Sequence, residues 1–330
     1  MGRERRRKNS EPRASLSNRL ETRKLPATTS RLIYKRTCDL PLEPGSYEPE
    51  KKMKHTIMTM SVAALLALTL AVPAAGGKSE RKGKSEREET QYEFDTGKNP
   101  RLSLSNLNGG ARITGWDRNA IEVTATKITS GPREHLDDVK VKCDMGSDHL
   151  QIEVDYDDLF ERDDDWDGDG VTVEFDIRVP RGIEIDAVEL VNGSLEITDV
   201  TGDVDASSVN GGVMGKQLGG VVRLSTVNGD VSLSNVIGDD TIRLSSVNGS
   251  VTLTLPNKIN AKISASTVHG DVHGDLGHGV THAGSSMDAV IGTGGRRIEL
   301  GTVNGDIKIR RAGGSDASDK KDRDSDDDSD

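Results

Sequence analysis

The stretch Val227-Asn228-Gly229-Asp230-Val231-Ser232-Leu233-Ser234-Asn235-Val236 carries the structural signature of this chain. After Gly229 the apolar and polar residues alternate, the period of a half-buried strand. The same triplet stands upstream as Val191-Asn192-Gly193 and Val209-Asn210-Gly211, and downstream as Val247-Asn248-Gly249, at intervals of about 18 to 20 residues. Val268-His269-Gly270 and Val303-Asn304-Gly305 continue the series, and Leu107-Asn108-Gly109 is an outlying copy. A second glycine series, Gly202, Gly220 and Gly238, falls about halfway between the triplets, so the half-repeat is near nine residues. Nine residues hold one short strand and one tight corner. Two such units per coil predict a flattened β-solenoid over residues 186–311, with successive rungs about 4.8 Å apart.

Alternation places Val231 and Leu233 inward and Ser232 and Ser234 outward. Glycine at the corner admits positive φ, and asparagine hydrogen-bonds to neighbouring backbone. Asn192, Asn210, Asn228, Asn248 and Asn304 are therefore expected to stack as an amide ladder. Gly193, Gly211, Gly229, Gly249, Gly270 and Gly305 are expected to turn the chain, with His269 replacing one asparagine. Ser208, Thr226, Ser246, Thr267 and Thr302 precede the repeat valines and are expected either to stack tightly or to form a polar array on one face. His273, His278 and His282 follow His269 closely, but His273 takes the outward Ser232-like position and need not converge with it.

The first half also reads as strands: Tyr92-Glu93-Phe94, Leu102-Ser103-Leu104, Ile121 to Ala125, Leu150 to Val154 and Val171 to Val179, the last ended by Pro180. They predict an antiparallel strand region ahead of the solenoid, with one helical turn near Pro132 to Val139. The fold class is all-β. Residues 1–52 are basic and aperiodic and read as an upstream mis-start or a disordered segment. Residues 53–75 read as a signal peptide: Lys54 and His55, an apolar run from Ile57 to Val72, then small residues at Val72-Pro73-Ala74. Residues 76–90 read as a linker, 91–311 as the β-repeat domain and 312–330 as a disordered acidic tail.

From Tyr92 to Arg311 the layout resembles the DUF4097 family, described as adhesin-like β-strand repeat proteins. The resemblance rests on Leu102-Ser103-Leu104-Ser105-Asn106-Leu107-Asn108-Gly109-Gly110, on Thr114-Gly115-Trp116-Asp117, on Val173 to Gly182 and on the Val-Asn-Gly run. It implies an exported or surface location and a β-solenoid-like fold, and it supplies no catalytic residue.

Composition narrows the function. The chain has 330 residues and a formal charge of -11. Residues 1–74 hold 15 of the 44 Lys/Arg and 7 of the 55 Asp/Glu, which leaves 29 and 48, or -19, for the rest. Such an acidic body excludes nucleic acid and anionic lipid as natural partners; membrane attachment would require a retained signal segment. No Phe, Tyr or Trp follows Phe175, which fits a thin aliphatic core. Cys143 lies in a strand-like run and reads as a small buried apolar residue.

One local motif points to a metal. Asp165, Asp167 and Asp169 with Asp176 follow the spacing of a calcium loop, hard oxygens at alternate positions with a glycine for the turn. Calcium is the one candidate cation, and no cofactor is expected. No nucleophile elbow, phosphate loop or zinc-protease motif occurs, so an enzyme is not expected. The sequence predicts an exported, non-catalytic envelope protein that binds or scaffolds an unidentified envelope component, a polysaccharide or another surface protein. A calcium-responsive surface module and a carbohydrate-active β-helix enzyme are the alternatives.

Overall fold

The computed structural model describes residues 31–35, 85–156, 170–274, 276, 280–282 and 284–312. It is an all-β structure built on two sheets, and one rung shows how the sequence makes them. Val222–Asn228 is a seven-residue strand of the first sheet. Gly229 and Asp230 turn the chain, and Val231–Ser234 runs along the second sheet. The return corner puts Asn235 at φ 54, and Gln217 and Asp199 hold the same left-handed conformation one and two rungs earlier. Within the rung Val222, Leu224, Val231 and Leu233 are at most 1% exposed. Each contributes about 1.5–3 kcal/mol by burial. In the repeat rungs the core is only one side chain deep from either sheet and is filled by branched aliphatics; the buried aromatics, Phe94, Tyr156 and Phe175, belong to the first-half strands.

The rungs stack in parallel register. Leu224 pairs with Ala206 on one side and Leu244 on the other, and Leu233 with Gly215 and Leu253. Stacking leaves no space for a side chain at the corner: a Cβ on Gly211 would stand 2.1 Å from the Gly193 carbonyl oxygen, and one on Gly193 would stand 2.0 Å from that of Gly109.

The order of the rungs in space differs from their order in the chain. Arg101–Asn108 and Ala111–Trp116 form a rung directly beneath the Glu184–Asn192 and Leu195–Thr198 rung. The Leu107-Asn108-Gly109 copy is thus part of the stack and not an outlier. His149–Asp155 and Thr172–Pro180 add a further level beneath it, one strand in each sheet. These two strands lie in different sheets and do not pair with each other. At the opposite end Arg296–Asn304 and Ile307–Arg311 slot between the Ile242–Asn248 rung and Ala261–His269. The last rung in sequence is the penultimate one in space.

Antiparallel strands close both ends. Glu86–Asp95 and Ala120–Thr129 extend one sheet, and Lys140–Met145 the other. Glu86 to Thr90, ahead of the first alternating residues, is recruited into strand by ladder bonds to Ala125 through Thr129. Arg31–Lys35 runs parallel to Glu89 through Glu93. The short helix Glu134–Asp138 buries Leu136. Ser286–Ile291 and Val280–His282 finish the other end. Where the late rung slots in, Arg296 is 2% exposed; its Nη2 donates to the carbonyls of Ile237, at 2.9 Å, and Gly238. Burial lowers the pKa of its guanidinium.

Asn106 joins the first-half rungs and is itself buried, 2% exposed. Its Nδ2 donates to the carbonyls of Asn108, Gly109 and Val173, and its Oδ1 accepts from the Tyr156 hydroxyl at 2.9 Å. Burial pushes the Tyr156 pKa up to about 12, with a smaller push from the charge of Glu174. A raised folded-state pKa means that this contribution is complete below pH 10 and is lost as pH rises toward 12. Urea titrations between pH 9 and 12 should show a fall in stability to which Tyr156 contributes about 2–3 kcal/mol, and a smaller fall in Tyr156→Phe. Cys143 titrates upward in the same direction, to about 12, chiefly through burial, so part of the loss will persist in that variant.

Candidate binding surface

The Val-Asn-Gly corners form one edge of the stack, and the side chains there are hydrogen-bonded from rung to rung. Asn192 Nδ2 donates to Asn108 Oδ1 at 2.9 Å, Asn210 to Asn192 at 2.9 Å, and Asn228 to Asn210 at 2.8 Å. Asn248 donates to Asn228 at 2.8 Å and Asn304 to Asn248 at 2.7 Å. All the amides point the same way, so each bond polarises the next. His269 stands in register with Asn304 at the far end. The ladder is unbroken because Asn304, late in the chain, takes the place beside Asn248 that chain order would give to His269.

Asn228 makes two ladder bonds and Asn304 one. Both are exposed, so water replaces part of what is lost. Asn228→Ala should cost about 1–2 kcal/mol in urea unfolding, and Asn304→Ala about half as much.

Behind this edge the repeat hydroxyls point inward. Ser208 Oγ donates to the Gly193 carbonyl at 2.8 Å, Thr226 Oγ1 to Gly211 at 2.8 Å and Ser246 Oγ to Gly229 at 2.9 Å. Thr302 and Thr267 repeat the contact on Gly249 and Gly305. At most 7% of any of these residues is exposed. They satisfy corner carbonyls of the neighbouring rung, so the alternative of a polar array open to a ligand is overturned for these five. Asn106 takes the same inward position in the Arg101–Asn108 strand. The signal that marks it in sequence is an amide one residue before Leu107-Asn108-Gly109, where the next copy carries Leu190 and the copies from Val209-Asn210-Gly211 onward carry Ser or Thr.

A concavity of about 940 Å³ lies along the outward face of the second sheet. Its floor is the row Arg112, Glu196, Met214, Ser232 and Thr252, in register on successive rungs. Thr124 and Thr126 border one side, and the corner residues Asn192, Gly212 and Asp230 the other. Arg112 Nε donates to Glu196 at 2.9 Å. That bond and the charge of Glu196 raise the guanidinium's pKa, with a smaller contribution from Asp176. One arginine thus lines the groove together with four carboxylates, Glu174, Asp176, Glu196 and Asp230. Met214, 52% exposed, is its apolar patch.

Of the calcium candidates, Asp176 is exposed and opposite Arg112 in the ladder. Asp165, Asp167 and Asp169 lie outside the described residues, as do His278 and the segments 53–75 and 313–330. His269 and His273 sit in different sheets. Among the described residues no three His, Cys, Asp or Glu side chains come together as a metal site, and no helix is long and apolar enough to cross a membrane.

Residues 80–310 match the profile of the family described as Toastrack DUF4097. No curated protein matches the sequence. Among solved structures, a putative cell adhesion protein from Clostridium sporogenes is 16% identical with a TM-score of 0.45, over 69% of this chain and 100% of its own. A putative adhesin from Bacteroides fragilis is 12% identical with a TM-score of 0.34, over 68% of this chain and 97% of its own. A putative lipid binding protein from Parabacteroides distasonis is 11% identical with a TM-score of 0.28, over 68% and 96%.

Proposed function

The chain belongs to the Toastrack DUF4097 family, and from that premise we propose an exported, adhesin-like protein that binds or scaffolds a polymer of the cell envelope without catalysis. The observation that carries the reading is the groove over Arg112, Glu196, Met214, Ser232 and Thr252. It is open along its length, and its floor places one side chain per rung, so a polymer laid along the stack meets a new group at each rung spacing. Its acidic balance points to a neutral polysaccharide. The apolar run from Ile57 to Val72 supports export.

The test is retention of the purified full-length protein on insoluble peptidoglycan, neutral polysaccharides and whole cells, beside a Ser232→Trp variant that fills the groove. Retention on one polymer, lost in the variant, is the expected result. Retention on none, or equal retention by both proteins, overturns it. Release of soluble sugar from any polymer would replace it with the enzymatic alternative.

A further inference from the structure

We propose that the outward face of the longer-stranded sheet docks a second copy of this chain. Three stripes run across that face. The first is aliphatic: Leu107, Val191, Val209, Val227, Val247 and Val303, all outward and partly exposed. The second is narrow, with Ser207, Ser225, Ser245 and Gly301 in register, and it continues past Ser207 as the exposed carboxylate of Glu189. The third is charged and reads Asp186, Asp205, Arg223, Arg243, Glu299 along the stack. Small and branched side chains leave the face flat, and flat faces of this kind pack about 10 Å apart on one another.

The charged stripe selects the partner. Consider a two-fold axis in the plane of the contact, parallel to the strands and midway between Val204–Asn210 and Val222–Asn228. It reverses the order of rungs but keeps each stripe on its own kind. Asp205 then faces Arg223 of the second copy, and Asp186 faces Arg243, each contact occurring twice. The same operation sets Val209 on Val227, Val191 on Val247 and Leu107 on Val303. A two-fold along the stack instead would lay the charged stripe on the aliphatic one, which leaves charges unpaired in a dry contact.

Two further observations agree with this centre. Arg243 and Asp186 form salt bridges within the chain, to Glu299 at 2.5 Å and Arg101 at 3.5 Å, whereas Asp205 and Arg223, cross-strand neighbours beside the axis whose charges interact, form no salt bridge among the described residues. The axis also falls near the middle of the eleven-stranded sheet, so that ten strands find counterparts. Ten strands about 4.8 Å apart and about 20 Å long offer roughly 900 Å² on each copy, against about 800 Å² for a stable specific interface. The groove lies on the other sheet and stays open in such a dimer.

Sedimentation equilibrium of the full chain, with far-UV circular dichroism and thermal melts as folding controls, tests this. The wild type is expected to be a dimer that weakens with salt. Asp205→Arg and Arg223→Asp should each weaken it by at least about tenfold. The double variant Asp205→Arg/Arg223→Asp restores opposite charges across the axis and should recover the dimer. Val227→Ser removes a branched aliphatic side chain from beside the axis, and should weaken it without altering the charges. A monomeric wild type at 100 μM (about a hundred times a micromolar Kd), single variants that dimerise as the wild type does, or a folded double variant that stays monomeric would each overturn the proposal. If a charge variant fails to fold, Val227→Ser decides: undiminished dimerisation of that variant rejects the face.

Discussion

Replacing Gly249 with Ala is expected to lower the stability of the protein by about 3–5 kcal/mol, at the top of the range for a single substitution. Gly249 has φ +157, and a Cβ there would lie 1.9 Å from the Gly229 carbonyl oxygen and 2.5 Å from its carbon. The obstacle is backbone in a stacked rung, not the tip of a flexible side chain. Relief requires the rungs to separate at the corner, and the corner is where Gly249 N–H donates to Asn304 O at 2.9 Å and Gly229 N–H to Asn248 O at 3.0 Å. The Asn248–Asn228 amide bond sits at the same place. Overpacking and the bonds it opens therefore add. Gly301→Ala is the matched control, because a Cβ there meets nothing within 4 Å; it should be neutral or stabilise by a few tenths of a kcal/mol. Urea unfolding of the two variants beside the wild type reads the difference. Equal midpoints would mean that the rungs are not packed as tightly as the structure shows.

Asn106→Leu should be comparably damaging, about 3–5 kcal/mol, although Leu is larger, apolar and already present at the aligned position, Leu190. The cost comes from what the side chain leaves behind. The carbonyls of Gly109 and Val173 lose their amide donor, and the Tyr156 hydroxyl loses one of its two acceptors and keeps only the Asn108 carbonyl. An orphaned buried group costs about 1–3 kcal/mol, far more than the net worth of the bond it made. The converse change, Leu190→Asn, should also destabilise, since it buries an amide where the structure provides an apolar setting. If Asn106→Leu unfolds at the same urea concentration as wild type, water must reach these groups and the buried network is not what joins the first-half rungs.

The two substitutions separate what patterning reveals from what it does not. The corner glycines were legible because every rung faces the same constraint and therefore repeats the same residue. Asn106 was not singled out, because it occurs once and serves a contact with Val173, on a strand that begins more than sixty residues later. The hydroxyl row was visible in the sequence, but its direction was not. Ser and Thr suit either face of a strand, and only the neighbouring rung's carbonyl, 2.8 to 2.9 Å away, explains why they turn inward. Likewise the groove combines residues from both halves of the chain, Arg112 and Thr124 with Ser232 and Thr252, and no local spacing marks it.

By itself the sequence determined the fold class, the two-sided rung, the inward aliphatics and the corner residues. These are local consequences of a period of two and of the turn chemistry of Asn and Gly, written into each repeat. The tertiary structure decided the order of the rungs. Consecutive triplets are chemically equivalent, so nothing in their spacing distinguishes a neighbour in sequence from a neighbour in space. The final rung enters between two earlier ones because there its Asn304 continues the amide row from Asn248, and its Ile298 and Leu300 meet Ile242 and Leu244 on one side and Ile263 and Ala265 on the other. Hydrogen-bond donors and apolar side chains are satisfied by whichever strand arrives alongside, and that is a property of the assembled stack.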